Sequence, residues 1–343
     1  MARRHAHLVG SVPGESPAEA MQLAMTTLGP HLRCLPDGET GDRRNWIISI
    51  IENLRGHPAL ELAKEGDWSD YDKTPRFKVR RGHQLLGASL DFGQLSAVEA
   101  SRPAFEEVRR ESGRADLDYL VGVPGDFDMA MFTLGPVGAL RHRRAFTEAT
   151  VAQITRIYAM LGDQAIFQLE VPAELVLLTK LPAALHPPLA RMFGKWLAGV
   201  AAASPEGARF GIHLCLGDMN HRAFGRMKDV APLVALTQAI VAAWPAGRPL
   251  EFVHAPFAAA DDPLPTAEAF YAPLAALKLP SETRFIAGFA HEDQSLEDQL
   301  RVMGMLEKLL DRPVDIASSC GLGRRAAADA RRTLERTAEL CTG

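Results

Sequence analysis

Short apolar runs recur along the chain, each closing on a turn and most leading into a segment of helical period. In order they are HLVGSVP (7–13), LRCLPDGE (32–39), YLVGVPGDF (119–127), AIFQLEVP (165–172), RFGIHLCLG (209–217), PLEFVHAP (249–256), RFIAGFAHE (284–292) and VDIASSCGL (314–322). Runs of this length, bounded by Gly, Pro or Asp, predict strands buried on both faces, as in parallel sheets. Between them lie amphipathic stretches. SPAEAMQLAMTTLG begins with Ser16 as N-cap and Pro17 in the first turn, and SLEDQLRVMGMLEKLL with Ser295 as N-cap and two acids behind it. Strand and helix alternating eight times predict an α/β fold, a (β/α)8 TIM barrel occupying residues 1–343 as one domain. A doubly wound open sheet gives the same alternation and stands as the alternative.

One interval breaks the rhythm. Residues 53–118 are too long for a single crossover; within them RFKVRRG alternates like an exposed strand and PAFEEVRRESG has a helical period. This reads as an insertion after the second strand, either roofing the mouth of the barrel or mediating self-association into a homodimer.

Composition narrows the class. With 343 residues, 47% hydrophobic and 23% charged, the chain has ordinary globular make-up and enough apolar material for a large core. A net charge of −4 supplies no electrostatic case for nucleic acid or an anionic membrane surface as partner. The apolar stretch at the start is short and interrupted by Gly10 and Pro13, which argues against a signal peptide; no run reaches the ~18 residues of a membrane span, and the expected location is the cytoplasm. In that reducing setting the four cysteines are core filler, metal ligands or nucleophiles. Cys34 fits the filler role, and Cys341, near the terminus, is expected to fray.

In barrels the chemistry sits at the C-terminal ends of the strands. The polar residues expected there are Ser11, then Asp37 and Glu39, then Glu170, then His213 and Cys215. The sixth strand adds Glu251 or His254, the seventh His291 and Glu292, and the eighth Cys320. His213 and Cys215 are two apart, so an extended backbone points both side chains the same way. Imidazole and thiolate from separate strands meeting at a barrel mouth form a donor set suited to Zn2+.

Several of these segments carry a resemblance. HLVGSVPG is similar to a GS-x-P first-strand motif, PDGETGDRRNW to a second-strand GE…R motif, and FQLEVPA to Q-x-D-E-P-A. HLCLGD resembles H-x-C-x-G-N, LEFVHAP resembles LEFA, and SSCGLGRR resembles CGL…R. These belong, in this order, to the cobalamin-independent methionine synthase superfamily, in particular its catalytic C-terminal barrel and its short single-barrel relatives. The resemblance implies a barrel fold with zinc held by His213, Cys215, a sixth-strand group and Cys320. LEFA favours Glu251 as that group, while position at the strand end favours His254. It further implies that Ser11, Glu39 and Glu170, with Asp37 beside them, hold the amino and carboxyl ends of homocysteine. TLGPVGALRH (133–142) is similar to the family's TGPVT-x-L-x-W segment, with His142 where the family's tryptophan helps bind the folate.

The implied activity is transfer of a methyl or other alkyl group to a small-molecule thiol, zinc favouring the thiolate. A free thiol with a pKa of ~8.5 is only a few per cent ionised at pH 7, so full ionisation is a gain of roughly thirty-fold. A general acid for the leaving group is a separate need, for which Asp218, His291 and Asp37 are the candidates. Two other readings share the donor set: a thiol-coenzyme enzyme opening or cleaving a small organic substrate, and a zinc-stabilised binding protein without turnover.

Overall fold

The computed structural model describes residues 4–343. Seven parallel strands form a curled sheet in the order β1-β4-β5-β6-β7-β8-β9. They are β1 (Cys34–Pro36), β4 (Asp118–Pro124), β5 (Ala165–Val171), β6 (Arg209–Leu214), β7 (Leu250–Pro256), β8 (Arg284–Gly288) and β9 (Asp315–Ala317). The remaining pair, β2 (Leu60–Lys64) and β3 (Arg76–Val79), is an antiparallel hairpin. The helices are α1 (Pro17–Leu28), α2 (Ile47–Asn53), α3 (Gln94–Ser112), α4 (Asp126–Leu161), α5 (Pro172–Lys180), α6 (His186–Ala203), α7 (Ala231–Ala243), α8 (Glu268–Tyr271), α9 (Leu296–Leu310) and α10 (Ala327–Thr342). None of them is long and apolar enough to cross a membrane.

The eight-stranded closure expected from the sequence is met in part. No regular strand forms over 7–13, yet this segment touches both edges of the sheet. Ala6 bridges Leu32, just before β1, and also Ile316 in β9, and Ser11 bridges Gly38. His7 N donates to Ile316 O at 2.8 Å and Val12 N to Gly38 O at 2.9 Å.

Local rules explain the elements. Ser16 Oγ accepts from Glu19 N at 3.3 Å and Ser295 Oγ from Asp298 N at 3.1 Å, capping α1 and α9 as their sequences imply. Every residue of β5 is buried, which is why its run shows no polar alternation except Gln168 and Glu170. α4 kinks where Gly135 (φ 71°, ψ 177°) precedes Pro136, a pair that interrupts the helical ladder.

Residues 53–118 divide into two parts. The hairpin β2–β3 and its connection carry Trp68, Tyr71 and Thr74 to the C-terminal end of the sheet. α3 packs against α1 and β4, with Ser101 Oγ 2.6 Å from Tyr119 Oη. Inside the curled sheet, Cys34, Leu120, Ile166, Phe252, Ile286 and Ala317 form one apolar cluster, placing Cys34 in the core. Cys341, expected to fray, is buried in α10, because the amphipathic face of that helix continues to its last turn.

Candidate metal centre

Strand register builds the site. Glu170 lies opposite His213, and His213 opposite His254, so three polar side chains occupy one row across β5, β6 and β7. Neighbouring strands are ~4.8 Å apart, close enough for side chains in such a row to touch. His213 Nδ1 is 2.8 Å from His254 Nδ1, and His213 Nε2 is 3.5 Å from Glu170 Oε2. Gly288 gives His254 its space, since a Cβ there would stand 2.6 Å from the ring's Nε2.

Beyond the row, Cys215 follows β6 and Cys320 follows β9. Their sulfurs are 3.6 Å apart, and Cys320 Sγ is 3.9 Å from His213 Nε2. One donor atom each from His213, Cys215 and Cys320 falls within 4.8 Å of the other two, and all three residues are buried. Cys215 donates to the Cys320 sulfur, and with the Arg324 guanidinium 3.1 Å away this pulls the Cys320 thiol below its ordinary pKa. Burial and the neighbouring His254 hold His213 neutral, its pKa well below the usual imidazole range. Two sulfurs and one imidazole nitrogen are a donor set of the kind catalytic zinc sites use.

His254 and Glu251 part company. His254 Nε2 donates to Ser318 O at 2.9 Å while its Nδ1 faces His213, so both nitrogens are occupied within the row. Glu251 is not brought to the cluster at all. It alternates with Phe252, which points inward, and its carboxylate accepts from Arg209 Nε at 2.7 Å near the start of the strand. The two-residue period puts it on the other face.

The acids near the centre differ in their partners. Asp37 accepts from Arg43 Nη1 at 2.6 Å, from Ser101 Oγ at 3.2 Å and from Glu39 N at 2.9 Å, which holds Glu39 in a left-handed conformation with φ 44°. Burial pushes the Glu39 carboxyl up to about 8. Glu170 accepts from Gln168 Nε2 at 2.7 Å and is also raised, by burial and then by Glu39. Both face Gly122, where a Cβ would sit 3.2 Å from Glu39 Oε1 and 3.5 Å from Glu170 Oε1. Ser11 Oγ accepts from Gly323 N at 3.1 Å beside them.

Of the three residues considered as general acids, Asp37 is engaged by Arg43, Ser101 and Glu39 N, and the other two fare differently. Asp218 lines the cavity but is paired with Arg324, Oδ1 to Nε being 3.3 Å. His291 Nε2 donates to Ala260 O at 3.1 Å and its Nδ1 accepts from Asp293 N at 3.2 Å. Both of its nitrogens are spent on backbone, and it does not line the cavity. The neighbouring Glu292 is held by Arg325 Nε at 2.8 Å and Thr333 Oγ1 at 2.9 Å.

Sequence reading missed several contributors. Trp46, Ile47, Trp68, Tyr71, Phe132 and Met219 form the apolar wall of the cavity, and Arg324 its cationic corner. Arg324 was visible in SSCGLGRR, two residues past the Cys-Gly-Leu. Nothing in the loop residues Trp46 or Trp68 announced that they would face the sulfurs. His142 lies elsewhere, in a groove with Lys78, Arg81 and Arg141.

No model of a known protein family matches the chain, and no curated protein matches it. Among solved structures, a B12-independent methionine synthase from Shewanella sp. W3-18-1, in complex with selenomethionine, superposes with a TM-score of 0.61 at 12% identity, covering 98% of this chain and 97% of that one. A Listeria monocytogenes protein described as a vitamin-B12-independent methionine synthase aligns over 100% of this chain and 98% of its own at 11% identity, with a TM-score of 0.48. The chain shares its fold with the Shewanella B12-independent methionine synthase.

Proposed function

We propose that the chain is a zinc-dependent transferase that moves a methyl or other alkyl group to a thiol such as homocysteine, on a (β/α)8 barrel whose first stave is the segment 7–13. The observation that carries the reading is the convergence of His213, Cys215 and Cys320 within 4.8 Å at the C-terminal end of the sheet. Three protein donors leave a fourth position, as catalytic zinc sites do and closed structural tetrads do not. When bound, zinc favours the deprotonated form of a substrate thiol at neutral pH.

The chain's own residues do the rest. Glu39 and Glu170, both facing Gly122 and neither in an ion pair with a lysine or arginine among the described residues, suit the ammonium group of an amino-acid thiol; taking up that charge would draw both back to their ionised forms. Asp37 positions Glu39 through its backbone N–H, and Arg324 positions Asp218 and the Cys320 sulfur. The hairpin connection with Trp68 and Tyr71 covers one side of the cavity, and the more water it excludes the stronger such electrostatic contacts become. Holding donor carbon and sulfur in line inside that wall is the larger catalytic contribution, one that can reach ~7 kcal/mol or more. The selenomethionine in the Shewanella structure, an analogue of a methylated thiol, supports an amino-acid thiol as acceptor.

The test is metal analysis of wild type beside Cys215→Ser, Cys320→Ser and Glu251→Ala, with a product assay for methionine from homocysteine. Near-stoichiometric zinc in wild type and in Glu251→Ala, lost in both cysteine variants, is the expected result. Zinc content unaffected by either cysteine change overturns the assignment.

A further inference from the structure

Across the cavity from the sulfurs stands a wall with almost no charge to offer. Trp46, Ile47, Trp68, Tyr71, Phe132 and Met219 line it. The one cationic side chain in the lining is Arg324, and it is spent three ways. It lies 3.3 Å from Asp218 Oδ1, donates to Arg44 O at 2.8 Å and approaches Cys320 Sγ at 3.1 Å. A ligand tail bearing carboxylate or phosphate would find no free cation here, and would face Glu39 and Glu170 instead.

Backbone geometry sets the wall apart from ordinary apolar lining. Seven non-glycine residues in the described chain have positive φ, and four of them, Glu39, Trp46, Trp68 and Asn220, line this one cavity. Bulky residues hold such conformations only where their surroundings fix them, and such strain gathers at functional sites. Trp68 is fixed three times over. Its Nε1 donates to Glu52 at 2.8 Å, its N to Lys73 O at 3.1 Å, and its O accepts from Asn220 Nδ2 at 3.1 Å. Trp46 N donates to Arg43 O at 2.8 Å, and Trp46 O accepts from Ser49 Oγ at 2.9 Å. Its indole reaches inward until Nε1 lies 3.7 Å from where a Cβ on Gly122 would be, and that N–H has no acceptor among the described residues. A rigid ring surface with one spare donor recognises another ring that carries an acceptor.

We propose that the second substrate, the alkyl donor, is a neutral aromatic molecule bearing an ether oxygen or ring nitrogen, seated on the indoles of Trp46 and Trp68. In the transfer the donor's alkyl C–O or C–N bond breaks as the C–S bond forms, and the proton given up by the acceptor thiol ends on the oxygen or nitrogen left behind. This rests on the transferase reading for the word donor, while the ring preference rests on the wall alone.

Calorimetric titration of the full-length protein with 3-methoxybenzyl alcohol and with 3-methoxybenzoate tests it, metal content being measured on the same preparations. The expected result is binding of the alcohol at least about tenfold tighter than the benzoate, as burial of a carboxylate in a lining without a free cation requires. Trp46→Ala and Trp68→Ala should each weaken the alcohol about tenfold without changing metal content, and Trp68→Phe should retain most of the affinity. Equal or tighter binding of the benzoate, binding of neither ring, or alanine variants that bind like wild type overturn the proposal. The comparison of the two rings on wild type stands even if a variant fails to fold. Absence of zinc with the ring preference intact would sink the transferase reading and leave this one standing; zinc without the preference would do the reverse.

Discussion

Ser318 offers His254 only a carbonyl oxygen, and that fixes a proton on the next ring. His254 Nε2 must donate to it, so in the neutral ring Nδ1 is an acceptor. Burial holds His254 at a pKa of about 4, which keeps it neutral. His213 Nδ1, 2.8 Å away, then has to be the donor, leaving the lone pair of His213 Nε2 facing the sulfur of Cys320. This is the arrangement in which the outer nitrogen of a ligating histidine is oriented by a hydrogen bond, and loss of such a partner typically costs 10–100-fold in metal affinity. His254→Ala should therefore weaken zinc binding by about that factor while leaving stoichiometry near wild type at saturating metal. Competition titration with a chromophoric chelator reads the constant, and an unchanged value would remove His254 from the site. Cys320→Ser belongs to another class, since it deletes a donor and should abolish stoichiometric binding.

At the scale of elements, the junctions β4–α4 and β5–α5 hold a pair of buried acids that the proposed alkyl transfer does not use. Asp128 Oδ1 accepts from Ala173 N at 3.0 Å, its Oδ2 has no partner, and Glu174 Oε2 has none either. Burial raises the Asp128 carboxyl to about 8, and Glu174 is raised by burial and then by Asp128. An unfolded aspartate titrates near ~3.9, so the folded chain binds this proton more tightly; the contribution is fully present below pH ~4 and is lost as pH rises through about 8. Asp128→Asn keeps the acceptor for Ala173 and removes the titration. It should gain on the order of 3 kcal/mol over wild type at pH 9 relative to pH 5 in urea unfolding. Parallel pH profiles for the two proteins would contradict this. Neither acid stood out in the sequence. The strands themselves were legible, because runs such as AIFQLEV are apolar throughout and end on turn residues. What sequence could not display was register. Sequence leaned to Glu251 over His254 as the sixth-strand group, whereas the alternation with Phe252 and the pairing of His213 with His254 put His254 on the inner face and Glu251 on the other. His291 looked equally chemical, and its nitrogens proved to be fastening one loop to another. Trp46 and Trp68 reach the cavity through loop geometry, for which no periodicity exists to read.

For the whole molecule, the same three donors on which the proposed chemistry rests also come from distant parts of the chain. Cys215 and Cys320 are 105 residues apart, one following the middle strand β6 and the other following the edge strand β9, with β7 and β8 between them. The sheet meets the 7–13 segment through isolated bridges rather than a regular ladder, so its closure rests on few backbone hydrogen bonds on that side. An ion gripping both cysteines would clamp that edge just past the C-terminal end of β9, beyond the bridge at the strand's central Ile316. Because it binds the folded chain and not the separated cysteines of the unfolded one, its contribution follows mass action: about 2.7 kcal/mol at a free metal concentration of 100 Kd and about 4.1 at 1,000 Kd. Spread over a chain of this size, the larger figure corresponds to a shift of several degrees in Tm, between about 1 and 2 °C per kcal/mol. Thermal unfolding with and without a chelator should therefore show a drop of several degrees in wild type, restored by adding back zinc. Cys320→Ser should unfold at the lower temperature from the start and ignore the chelator, and Glu251→Ala should behave like wild type, its carboxylate being occupied with Arg209. A wild-type protein that carries zinc but keeps its Tm on chelation would mean that the ion leaves without loosening the sheet, and the clamp, though not the chemistry, would have to be given up.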